Sequence, residues 1–140
     1  MLFQEGRIKT MVAKIASWVV RLGGLVMIVL GLLFWSGNAL TLKNEHEMLG
    51  VLVVLALWTL AFVALRKGVN VGLVIGGLLL GVVVIGFGMS QTSLMNGATR
   101  AMVETIKVIH LLLGLSLISL GEVFAARIRR LGQSAKPAAA

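Results

Sequence analysis

Cysteine, tyrosine and aspartate are absent from this chain of 140 residues, proline occurs once, and charged residues make up only 13%. The missing cysteine excludes disulfides, thiolate metal sites, iron–sulfur clusters, covalent c-type cofactor attachment and thiol catalysis. The single proline, Pro137, stands close to the C-terminus. No apolar stretch therefore carries a proline hinge of the kind that marks substrate sites in broken-helix transporters. Little charge, 59% apolar residues and a mean hydropathy of +1.02 together exclude a water-soluble globule.

What is present is a set of apolar runs, each near the 20 residues or so that cross a hydrocarbon core of about 30 Å as a helix. Spans are expected at about 18–36, 46–65, 69–89 and 106–126, with an interfacial or continuous lead-in over 1–16. Beyond the last span, 127–140 reads as a basic cluster followed by a small-residue tail, Ser134 to Ala140, expected to be disordered. The loop after the second span is only a few residues long, so spans two and three must be antiparallel neighbours. The fold class is all-α, a transmembrane four-helix up-down bundle.

A net charge of +8 would suggest nucleic acid in a soluble protein, but here the cations sit at the ends of the apolar runs and mark topology instead. Arg7, Lys9, Lys14, Arg21, Arg66, Lys67, Arg127, Arg129, Arg130 and Lys136 fall on one side of the expected bundle. Only Lys43, Arg100 and Lys107 fall on the other. An excess of Lys and Arg marks the cytoplasmic side, so both termini are expected in the cytoplasm of a bacterial inner membrane.

The two histidines lie in an internal repeat, Lys43-Asn-Glu-His46-Glu-Met-Leu-Gly50 against Lys107-Val-Ile-His110-Leu-Leu-Leu-Gly114. Both copies read K-x-x-H-x-x-L-G, which on a helix places lysine, histidine and glycine on one face, one turn apart. His46 precedes Arg66, and His110 precedes Arg130, by the same interval of about 30 Å at 1.5 Å per residue, so both imidazoles stand at the outer end. In an up-down bundle the second and fourth helices face each other across a diagonal. Imidazoles meeting there suit the two axial positions of a haem b iron, with His46 and His110 as ligands. Gly50 and Gly114, with Gly37, Gly86 and Gly88 near the same depth, would leave room for the macrocycle. Lys43, Lys107 and Arg100 would meet its propionates.

This arrangement resembles the cytochrome b subunit of quinol-oxidising respiratory complexes and other membrane b-type cytochromes, which hold haem between histidines on diagonal helices with glycines lining the ring. The resemblance covers the four-span plan, His46, His110 and those five glycines, and is one of pattern; each ligating helix here carries one histidine where that family usually has two. It implies an electron carrier or complex subunit rather than a stand-alone enzyme, exchanging electrons with a quinol or an extracytoplasmic redox protein. The chain is similar also to small four-span bacterial membrane proteins, which implies no function.

Other patterns weigh less. Glu45, His46, Glu47 and Met48 with His110 and Glu104 offer ligands for copper or zinc, but adjacent helical residues point in different directions. Glu122 is the acidic residue well inside a span, near enough to the basic cluster to be an ion-pair partner. Trp18, Trp35 and Trp58 read as belt and packing residues. No motif suggests a nucleophile elbow or a phosphate loop. Gly72, Gly76, Gly77 and Gly81 make small-xxx-small pairs that allow close helix packing. They sustain a second expectation, a cofactor-free accessory or scaffold subunit of a homo-oligomer or larger membrane complex.

Overall fold

The structure, a computed structural model, describes the backbone of Leu2–Ser134 and the side chains from Met11 to Gln133. Four helices account for nearly all of it: α1 (Leu2–Trp35), α2 (Lys43–Arg66), α3 (Val71–Met95) and α4 (Arg100–Ser134), with a 3-10 turn at Leu40–Leu42 leading into α2. All four are long and apolar enough to cross a membrane. Each turn between helices carries one glycine with positive φ, Gly37 at 79°, Gly68 at 83° and Gly97 at 71°, a conformation that costs other residues a steric clash. Asn70 then caps α3, its side-chain oxygen accepting from the Leu73 N–H at 3.3 Å.

The helices run past the expected spans. α1 passes residue 16 without a break, α3 continues to Met95, and α4 starts at Arg100 and carries Arg127, Arg129 and Arg130 as helix rather than as tail. Apolar periodicity marks the membrane-crossing parts, but the Arg, Lys, Glu and Ala residues at the ends of α1 and α4 are also good helix formers, so there the helix outlasts the apolar run. Ser134 ends α4, and the tail beyond it, 135–140, lies outside the described residues.

Neighbouring helices pack in chain order around a ring, α4 closing against α1. α2 and α4 also touch across the diagonal, whereas among the described residues α1 and α3 do not meet. The bundle is thus squeezed along one diagonal, which makes α2 its innermost element and brings the two histidine-bearing helices together.

Burial is confined to one half of the length. The largest fully buried side chains are Phe124, Leu57, Leu60, Val20 and Val54, and the buried residues concentrate toward the end of the bundle where α2 and α4 end. Between 25 and 52, and between 82 and 116, no described residue is buried. Large apolar side chains such as Leu25, Leu52, Leu79 and Val82 instead face outward, as lipid contact requires.

In the tight half, small residues set the helix spacing. A Cβ on Gly121 of α4 would stand 2.7 Å from Val20 Cγ1, and one on Gly77 of α3 would stand 2.8 Å from Phe124. Val20 and Phe124 are both wholly enclosed and cannot swing away. Gly121→Ala is therefore expected to destabilise by about 1–3 kcal/mol through overpacking, measured by thermal unfolding in detergent. Gly76, one residue from Gly77, has nothing within 4 Å of its Cβ position. The expected glycine face of α3 thus divides, Gly77 and Gly81 packing within the chain and Gly72 and Gly76 facing out.

Candidate functional site

The loosely packed half encloses a cavity of about 890 Å³, within the usual range of small-molecule and cofactor pockets. Every helix lends it a glycine: Gly24 and Gly31 from α1, Gly50 from α2, Gly88 from α3 and Gly114 from α4. Nothing lies within 4 Å of a Cβ position on Gly31 or Gly114, so both border open space. Met27, Ile28, Val84, Ile85, Leu111 and Leu117 are among the apolar side chains that make up most of the remaining wall.

His46 from α2 and His110 from α4 both reach this cavity, their ring centroids 6.2 Å apart and their planes inclined by 47°. Aromatic rings hold each in place. Phe34 of α1 meets His46 edge-on at 5.2 Å, and Phe87 of α3 stacks on His110 at 6.2 Å. Gly88 lets α3 approach, since a Cβ there would stand 3.1 Å from His110 Cε1. Nδ1 of each imidazole is buried without a hydrogen-bond partner. Two such orphans side by side are costly, because a buried polar nitrogen keeps its full desolvation penalty until something engages it.

The polar groups gather at the outer rim. Lys43 donates to Thr92 Oγ1 at 3.1 Å and pairs with Glu47 at 3.4 Å; Lys107 pairs with Glu104 at 3.0 Å and lies 5.7 Å above the Trp35 ring. Both lysines line the cavity as the repeat implied, yet each is already neutralised by a carboxylate on its own helix. Gly50, Gly88 and Gly114 also line it, whereas Gly37, Gly86 and Arg100 do not. Gly37 serves the turn after α1, Gly86 lies on the exposed face of α3, and Arg100 begins α4 beyond the rim.

Among the described residues, no three His, Asp or Glu side chains converge as a metal site would need. Glu45 points to solvent, and Glu47 and Glu104 are occupied by the lysines, so the copper or zinc arrangement is not assembled.

Several participants were not foreseen from the sequence. Gly24 and Gly31 recur at a seven-residue interval on one face of α1, a signal that was available. The lysine–glutamate pairs follow from i,i+4 and i,i+3 spacing. Phe34 and Phe87 had no distinguishing pattern. The chain matches no protein-family model, no curated protein and no solved structure.

Proposed function

We propose that the protein is a small integral-membrane b-type cytochrome, holding one haem b between His46 and His110 for one-electron transfer. The observation that carries this reading is the meeting of these imidazoles on diagonal helices, with orphaned nitrogens, inside an apolar cavity walled by glycines. The two ring centroids stand 6.2 Å apart, so a single group lying between them could be held by both imidazoles at once. A haem brings four equatorial nitrogens of its own, so two protein ligands are the number it needs.

Bound there, the haem would supply reversible one-electron chemistry. The chain's own residues hold and shield it. Phe34 and Phe87 pack on the imidazole rings, Gly31, Gly50, Gly88 and Gly114 keep the walls smooth, and the largely apolar lining suits a macrocycle. The rim supports the reading less, since Lys43 and Lys107 would have to exchange Glu47 and Glu104 for propionates. The positive-inside pattern supports cytoplasmic termini in a bacterial inner membrane, which puts the site on the outer side, within reach of a quinol or an extracytoplasmic redox protein.

Filling the cavity tests this without touching a ligand. Gly114→Leu is expected to leave thermal stability within about 1 kcal/mol, because its Cβ meets nothing, while blocking haem uptake in a spectrophotometric titration. Unchanged haem uptake would count against the site.

A second reading, the cofactor-free scaffold, draws on the outward face of α3, where Gly76 lies open. Gly76→Leu is its proper test, since Gly77 is spent inside the chain; chemical crosslinking that is unaltered by Gly76→Leu would remove it.

A further inference from the structure

At the end opposite the histidines, Arg66 and Lys67 close α2, Arg127 and Arg129 lie on the last turns of α4, and Lys14 lies on α1. They share one level. Lys67 Nζ stands 3.7 Å from where Gly132 would carry a Cβ, tying the α2–α3 turn to the end of α4. Val20 packs on Gly121 in the antiparallel α1–α4 pair, so counting outward from that contact sets Lys14 opposite Arg127. Among the described side chains the only carboxylate in this half is Glu122, and Arg21 holds it with two bonds of 2.5 and 2.6 Å. Among the described side chains the collar therefore carries an excess of positive charge.

Exposed apolar side chains are interleaved with it. Met11, Ile15, Trp18, Phe62 and Leu65 face outward at or just inside the level of the cations, and Arg66 lies 4.8 Å over the Phe62 ring. A soluble anion would use only the charges. An amphiphile with a phosphate above an acyl chain uses both. We infer that this collar binds anionic phospholipids of the adjoining leaflet, Lys67, Arg127 and Arg129 meeting phosphate while Trp18, Phe62 and Leu65 meet the chains. This site is separate from the histidine cavity and stands whether or not a haem is bound.

The test is tryptophan quenching of the full chain in phosphatidylcholine bilayers containing brominated phosphatidylglycerol or, in parallel, brominated phosphatidylcholine; Trp18 lies one turn from Lys14. The parent should prefer phosphatidylglycerol by at least about five-fold, the effect of one engaged cation near an anionic surface. A Lys67→Gln, Arg127→Gln, Arg129→Gln variant, or the parent in 1 M salt, where the screening length falls to about 3 Å, should bring that ratio close to one. Absence of preference in the parent, or persistence of it at 1 M salt or in a triple variant with intact helical circular dichroism, overturns the inference. Loss of the preference on adding millimolar inorganic phosphate would also overturn it, by assigning the collar to a soluble anion.

Discussion

Replacing His46 or His110 with phenylalanine is expected to abolish low-spin haem binding while leaving the bundle folded. Phenylalanine keeps a ring where His46 meets Phe34 and where His110 stacks on Phe87, so the aromatic packing survives and only the ligating nitrogens go. Residues that merely support a metal ligand are commonly worth 10–100-fold in affinity, so loss of the ligand itself should cost more than about 100-fold. The double variant should take up no haem at all. Each orphaned Nδ1 also disappears, so the empty variants should be no less stable than the empty parent, a comparison made by thermal unfolding. Undiminished haem affinity in either single variant would remove that histidine from the site.

The second large effect concerns the ion pair between α1 and α4. Arg21 donates from Nε and Nη2 to the two oxygens of Glu122, a bidentate match that satisfies both partners in a setting where water cannot. Both side chains are about 37–38% exposed, so they sit at the helix seam rather than in the core. Glu122→Leu is expected to destabilise by about 1–3 kcal/mol, less than the cost of a lone arginine at mid-bilayer because Arg21 can snorkel toward the basic end. Removing both charges, with Arg21→Leu added, should recover most of that loss, since a paired charge replaced by apolar packing is often neutral. Unfolding of the four proteins of this double-mutant cycle in detergent measures the coupling; additive losses would show the pair to be idle. Glu122→Gln should be milder, because an amide oxygen still accepts from the guanidinium.

The sequence places Glu122 near enough to the basic cluster that ends α4 to pair with it, and the partner is instead Arg21, one of the cations counted on the same side of the bundle. α1 runs unbroken from Leu2 to Trp35, which carries Arg21 a full turn past Trp18 and level with Glu122. Hydropathy marks where lipid begins but not which of two facing helices a long arginine side chain will serve. The four spans and the diagonal placement of α2 and α4 were legible because length, periodicity and short turns leave few alternatives. The pairing of His46 with His110 was legible because an eight-residue repeat fixes face and depth at once. The squeezed diagonal was not, since the contact of α2 with α4 depends on how all four helices dock, just as the close neighbours of Gly77, Gly81 and Gly121 are known only after docking. Gly37 and Gly86 were assigned to the cavity by depth alone, and depth does not say which way a helical residue points.

The central claim is that the histidine-bearing half of the bundle is built to hold one haem, and an absorption spectrum tests it most directly. The protein should be purified in mild detergent, supplied with haem if colourless, and recorded oxidised and after dithionite, with a pyridine haemochrome assay for stoichiometry. A Soret peak, a sharp α band on reduction and one haem b per chain is the result expected of two imidazole ligands. A preparation that remains colourless after haem addition would contradict the claim and leave His46 and His110 as packing residues of a cavity meant for something else.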